Sequence, residues 1–229
     1  QPLSAAQVED NLAIFLGQLD PEWDALGELL LVDYLQHNPL ALNPDRLARQ
    51  VARVRQRRLD DYLGKTLRDC TTFAVRRSWS RFCAAVRSEL DNLSALLARP
   101  DDALAAQPLL KDGGSSTVGR TSVQGRELVI KRYNIKGFGH WLKSFWRPTR
   151  AWHSWLAAHR LQFLGIATPA PLAMIEQRFG PLRRRAWLIT EYCGGVDLLH
   201  YLGEDGQHLP EPAVADALLA VFDQLVQAR

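Results

Sequence analysis

The sequence predicts an α+β fold: a mainly helical segment over 1–105, then an antiparallel sheet with helices over 106–229. Three observations predict it. Apolar residues in the first part recur at helical spacing, as in Leu12, Phe15, Leu16 and Leu19. From 106 onward short β-like runs alternate with glycine-rich turn signals. The charge also changes sign: residues 1–110 carry 13 Lys and Arg against 15 Asp and Glu, whereas 111–229 carry 15 against 10.

In the first part, Asp20-Pro21 opens a second helix that runs through Leu26, Leu29, Leu30 and Tyr34 to Asn38-Pro39. Asn43-Pro44-Asp45 opens a third. Its arginines, Arg46, Arg49, Arg53 and Arg57, recur three or four apart and read as a solvated face. Residues 64–90 fit either a helix or a hairpin turning at Ser78–Ser80. Leu90, Leu93, Leu96 and Leu97 have helical spacing, and Arg99-Pro100-Asp101-Asp102 reads as a boundary. The segment reads as a mainly helical accessory domain.

In the second part, Pro108–Lys111, Thr117–Val123 and Glu127–Tyr133 read as strands. Asp112-Gly113-Gly114-Ser115-Ser116 and Gln124-Gly125 are their turns, which gives a three-stranded meander. A helix follows from about Pro148 to Leu164, ended by Gly165. Strands over 170–177 and 185–192 flank Phe179-Gly180-Pro181, and helices over 197–202 and 211–228 close the chain.

The 229 residues suit one large domain or two small ones. Apolar residues make up 47% and charged residues 23%, which excludes disordered and collagen-like classes. No apolar run approaches the roughly 20 residues of a membrane-spanning helix, and no signal peptide is visible. The three scattered cysteines, Cys70, Cys83 and Cys193, suggest a reducing cytosol and no zinc site.

Small residues at 113–116 let backbone N–H groups approach phosphate oxygens, although a plain hairpin turn has the same composition. Lys131 sits on a strand between Ile130 and Arg132-Tyr133, either as a solvated strand lysine or as a phosphate ligand. The order of elements here resembles the N-lobe and hinge of a protein-kinase-like fold. It is most similar to the lipopolysaccharide core kinases, the heptose and Kdo kinase family. The residues that carry the resemblance are Val129-Ile130-Lys131-Arg132-Tyr133, Arg147-Pro148-Thr149-Arg150-Ala151-Trp152, Ala158-His159-Arg160-Leu161, Gly165-Ile166-Ala167-Thr168-Pro169 and Trp187-Leu188-Ile189-Thr190-Glu191-Tyr192.

The resemblance covers about 106–229, and it opens a second reading of 1–105 as the tail of a preceding kinase-like unit. It implies ATP and Mg²⁺ as cofactors and a phosphoryl transfer to a sugar hydroxyl of the lipopolysaccharide core. Gly113, Gly114, Ser115 and Ser116 would lid the phosphates, and Lys131 would hold them. The Glu191 carbonyl and Cys193 N–H would meet adenine, with Thr190 as gatekeeper. Asp197 would reach the ribose or cap the following helix.

Two departures stand out. Ser154 occupies the place of the acidic residue that kinases pair with the strand lysine, and no Asp or Glu lies between Glu127 and Glu176. None of the six histidines has Asp two positions later, so the catalytic loop is expected outside these residues and no catalytic or metal-binding residue is assigned here.

Residues 126–160 hold eight basic residues and one acidic. Lys136, Lys143, Arg147 and Arg150 interleave with Phe138, Trp141, Phe145, Trp146, Trp152 and Trp155. This composition suits a membrane interface, and the resemblance implies an anionic glycolipid at the cytoplasmic face of the inner membrane as the partner. The same aromatics could instead pack the helix on the sheet while the cations stay solvated. Arg183-Arg184-Arg185 reads as a solvated loop or a lipid contact. No nucleic-acid-binding signature is present. A pseudokinase-like binding module and a phosphotransferase of the aminoglycoside-kinase type are the alternative functions.

Overall fold

A computed structural model describes residues 3–20, 23–38, 42–106, 108–134, 147–202 and 211–227. The chain divides into two compact units: Gln1–Gly64 with Phe163–Gly165, and the remainder. The division falls at Gly64/Lys65 and not at 105/106. The reason is that 65–105 supplies strands and helices to the same sheet as 106–192.

The first unit holds α1 (Ala5–Gln18), α2 (Asp24–His37) and most of α3 (Pro44–Lys65). Ser4 and Gln7 form a reciprocal cap at the start of α1. The buried face of α1 is Glu9, Ala13 and Gly17, whereas Phe15, expected inside, is half exposed. Close approach sets this choice: a Cβ on Gly17 would lie 2.6 Å from Cγ1 of Val54 on α3. The Arg58 guanidinium donates to the carbonyls of Gly17 (3.0 Å) and Gln18 (2.8 Å), and Arg46 meets buried Glu9 at 3.1 Å. Arg49, Arg53 and Arg57 form a solvated face, as expected.

The second unit is built on seven strands: β1 (Phe73–Arg77), β2 (Arg81–Val86), β3 (Leu109–Gly113), β4 (Ser116–Val123), β5 (Arg126–Tyr133), β6 (Pro171–Phe179) and β7 (Leu182–Glu191). They form one antiparallel sheet in the order β1-β2-β6-β7-β5-β4-β3. The 64–90 region is therefore a hairpin, turning at Ser78–Ser80. The β4–β5 turn has Gln124 and Gly125 at φ 52° and 79°, the left-handed pair that matches strand twist.

Strand alternation gives the sheet two faces. One carries Leu128, Ile130, Trp187, Ile189, Ala173, Ile175 and Ala85. It is sealed by Leu93, by Leu96 and Leu97 of α4 (Ser94–Ala98), and by Leu104 of α5 (Pro100–Ala105). Pro100-Asp101 thus starts a core helix and does not mark a boundary. Asp101 accepts from Trp187 Nε1 at 3.0 Å and Arg132 Nη1 at 3.2 Å. A Cβ on Gly119 of β4 would come within 2.9 Å of Leu104, so only glycine lets α5 sit this close.

The opposite face is covered over β1, β2 and β6 by α6 (Arg150–Phe163), which Gly165 ends at φ 70°. Trp155 is fully buried, with its Nε1 donating to the Thr66 carbonyl at 3.3 Å. Trp152 packs on Phe82, their ring centres 5.2 Å apart. Trp155 and His159 pack on Phe73. Two helices follow, α7 (Leu198–Leu202) and α8 (Pro212–Gln227). Among the described residues no helix is long and apolar enough to cross a membrane.

A fully buried carboxylate anchors α6. Glu176 on β6 accepts from Thr149 Oγ1 (2.5 Å) and from Arg178 Nε (3.1 Å) and Nη2 (2.5 Å), with Arg183 at 3.8 Å. Thr149 Oγ1 also accepts from the Trp152 N–H, capping the helix.

Removing one partner of a buried ion pair strands the other charges, so Glu176→Ala is expected to cost about 3–5 kcal/mol in urea unfolding. Thr149→Val removes a cap and is expected to cost about 1 kcal/mol. His159 is 2% exposed, and burial pushes its pKa down to about 4. The folded state disfavours its protonation, so its contribution is complete above pH 6.5 and is lost as pH falls toward 4. The full linkage is about 3 kcal/mol. A His159→Gln variant should show a shallower loss of urea stability over that window than the parent chain; parallel curves would refute the assignment.

Candidate functional site

The face opposite α4 and α5 is not covered evenly. Toward β7, β5 and β4 it carries Thr190, Leu188, Val129, Lys131 and Val118 in adjacent register positions. Leu188 is buried, whereas Val118, Val129, Lys131 and Thr190 are half-buried. This apolar shelf with one lysine is bounded by the β3–β4 turn and by the chain leaving β7 at Glu191.

The turn itself is Gly114-Ser115. Gly113 and Ser116 close the ladder below it, and Ser116 is buried. Its base is held by side chains that the sequence did not single out. Asn134 Nδ2 donates to the Gly113 carbonyl and to Thr117 Oγ1, both at 3.1 Å, and its N–H donates to the Ser115 carbonyl at 3.2 Å. Arg132 Nε donates to Asn134 Oδ1 at 3.0 Å, and Thr117 Oγ1 donates to Asp112 at 3.2 Å. Neither Gly113 nor Gly114 lies at positive φ, and a Cβ on Gly114 would meet nothing within 4 Å. The turn's own geometry therefore does not require glycine at 114.

Lys131 Nζ lies 5.3 Å from the Tyr133 ring centre, and the Arg150 guanidinium lies the same distance from it. Tyr133 Oη is 2.8 Å from Ser154 Oγ. The serine in the acidic position thus engages the tyrosine, and two cations share one aromatic ring. Arg150, expected at a lipid or substrate surface, is brought to the same residue as Lys131. Arg147 is exposed. Lys136 and Lys143 lie outside the described residues, as do Phe138, Trp141, Phe145 and Trp146. Trp152 and Trp155 pack on the sheet.

The end of β7 is clasped by β4 and β5. Arg126 binds Glu191 and also Glu89 at 2.7 Å, and these hydrogen bonds raise its already high pKa. Arg120 stacks on Tyr192 at 4.0 Å. The Glu191 N–H donates to the Ala170 carbonyl at 3.0 Å, and the Tyr192 N–H to the Glu127 carbonyl at 3.1 Å. Thr190 Oγ1 donates to the Glu191 carbonyl at 3.1 Å, and Cys193 is exposed. Asp197 is exposed, and its Oδ1 accepts from the His200 N–H at 2.9 Å, the helix-capping alternative. Arg183 is not in a solvated loop: it lies on β7 beside Glu176 and over Trp152, and desolvation lowers its pKa. Among the described residues no cluster of His, Cys, Asp or Glu is arranged to hold a metal ion.

No protein-family model matches the sequence, and no curated protein matches it. Among solved structures, one similar to part of the chain is "WaaP in complex with acyl carrier protein", at TM-score 0.35 and 25% identity over 50% of this chain. This chain spans 42% of that neighbour.

The open space around Gly114 yields a direct expectation. Gly114→Ala should leave urea stability unchanged or raise it by up to about 1 kcal/mol. Gly119→Ala should lower it, because Leu104 must move. A large loss at Gly114 would show that the turn needs glycine for folding.

Proposed function

We propose that this chain holds the nucleotide of an ATP-dependent kinase whose acceptor is a sugar of the lipopolysaccharide core. One observation carries the reading: Val118, Val129, Lys131 and Thr190 form a half-buried shelf beside a turn whose glycine the fold does not need. In this reading adenine rests on Val118 and Val129, with Thr190 at the back. The Glu191 carbonyl and the Cys193 N–H meet its edge. Lys131 faces the phosphates, and the N–H groups of Gly114 and Ser115 cover them. The ordered motifs that resemble the core kinases support the same assignment.

The transfer makes a bond from the acceptor oxygen to the γ-phosphorus and breaks the bond to the ADP oxygen, while the acceptor proton leaves. The described residues do not fit Mg²⁺ as a ligand cluster, so no step is routed through it and no base is assigned. Their part is positioning and charge neutralisation. The acceptor would be an anionic glycolipid, drawn toward the cations near Arg150.

Ser154 favours a second reading, a pseudokinase-like module that binds without transfer. Its hydroxyl engages Tyr133 and leaves Lys131 without an acidic partner on α6. Isothermal titration separates the readings. With MgATP, the kinase reading expects binding that Lys131→Met weakens at least tenfold and Gly114→Ala weakens several-fold, with unchanged far-ultraviolet circular dichroism. A silent titration of the parent chain, or equal affinity for Lys131→Met, would refute the nucleotide assignment.

A further inference from the structure

Two hairpin tips stand side by side at the end of the sheet away from β3. One is Ser78-Trp79-Ser80, between β1 and β2; the other is Phe179-Gly180-Pro181, between β6 and β7. Backbone bonds stitch them: the Gly180 N–H donates to the Trp79 carbonyl at 3.0 Å, and the Arg178 N–H to the Ser80 carbonyl at 2.8 Å. Trp79 is 68% exposed and Phe179 62% exposed. Their rings meet edge to face at 6.1 Å. Gly180 sits at φ 57°, and a Cβ there would lie 2.8 Å from the Trp79 ring. The backbone is thus shaped to hold this indole out in solvent.

The surrounding strands are cationic. Residues 73–86 and 177–186 hold seven arginines and no Asp or Glu. Several are anchored by their heads: Arg77 Nη2 donates to the Leu67 carbonyl at 2.9 Å, Arg81 reaches the Leu97 carbonyl, and Arg178 pairs with Glu176. Arg76 and Arg184 are exposed and form no ion pair among the described residues. A stitched pair of exposed aromatics, on strands that also carry the exposed Arg76 and Arg184, has the chemistry of an interfacial anchor. Indole and phenyl rings partition to headgroup depth, and guanidinium groups meet anionic phosphates.

We propose that these paired tips dock the protein on an anionic lipid bilayer, with Trp79 and Phe179 entering the headgroup layer. The surface is separate from the 136–150 segment and does not depend on the nucleotide reading. The full chain should co-sediment with mixed phosphatidylcholine–phosphatidylglycerol vesicles, and weakly with phosphatidylcholine alone.

Trp79→Ser with Phe179→Ser should reduce vesicle affinity at least about tenfold, and Arg76→Gln with Arg184→Gln by a similar factor that high salt abolishes. Both variants should keep the parent's nucleotide titration. Should the aromatic variant not fold, a Ser78→Cys chain carrying Cys70→Ala, Cys83→Ala and Cys193→Ser and an environment-sensitive dye at 78 gives a second readout. Its emission should shift to the blue on adding anionic vesicles.

Absence of co-sedimentation by the parent chain, undiminished binding by the aromatic variant, or a dye without a shift would overturn the proposal. So would tighter binding to RNA homopolymer than to vesicles, lost in the same variants.

Discussion

Much of the second unit's arrangement depends on how one buried charge is satisfied. Glu176 is wholly withdrawn from water, and a carboxylate in that position is tolerated only when its oxygens are filled. Arg178 fills one oxygen and Thr149 the other. Thr149 is also the cap of α6, so a residue that hydrogen-bonds the buried carboxylate fixes where the helix starts. With the start fixed, helical spacing places Arg150 and Ser154 on one side of α6, one turn apart. Both then reach Tyr133, and Tyr133 carries Lys131. The position of the candidate phosphate lysine is in this sense referred back to an acid two strands away.

The two faces of the sheet divide structural and open surface. On the α4–α5 side, aliphatic packing is continuous, and Asp101 ties α5 to Trp187 and Arg132. Gly119 permits that closeness by presenting no side chain. Since this face supplies the core, the other need not be sealed along its whole width. The α6 aromatics cover β1, β2 and β6, and the β7-β5-β4 end keeps half-buried apolar residues beside a lysine. A sheet closed fully on both faces would leave no shelf for a ligand.

The legible parts were those written in local chemistry. Gln124-Gly125 and Gly165 named a turn and a helix end that the backbone adopts at positive φ. The strand lysine, its neighbouring strands and α6 lie within a few residues of where periodicity put them. Residues 73–86 were ambiguous because Phe73, Val75, Trp79 and Phe82 satisfy both spacings; pairing with β6 decides, and it is a contact some ninety residues away. Asp101 read as a boundary because Pro-Asp-Asp opens helices and loops alike. The Asn134, Thr117 and Arg132 bracket under the glycine turn left no motif, since its members are ordinary polar residues made neighbours by register. At α1, Leu12, Leu16 and Leu19 are half-buried as their spacing suggests, whereas Phe15 is half exposed, because the closest face, against Val54, admits only small residues.

Charge balance connects the shelf and the hairpin tips. Between residues 128 and 190 there are eleven Lys and Arg and a single acid, Glu176. That acid is spent inside the protein on Arg178 and Arg183. Asp101 on α5 takes up Arg132 and part of Arg185. Lys131 and Arg150 have an aromatic ring between them, which stabilises a cation by a fraction of what a carboxylate would in the same setting. Arg76 and Arg184 are exposed and form no ion pair among the described residues. Each of these groups gains most from an anion that arrives from outside the fold. Lys131 is half-buried against an apolar shelf, which on the proposed reading suits a small polyanion with a flat apolar head. Arg76 and Arg184 lie on strands that end at two projecting rings, which on the proposed reading suits an extended anionic surface with an apolar interior. On the two proposed readings, the same shortage of internal acids would serve two sites whose ligands differ by shape and not by charge.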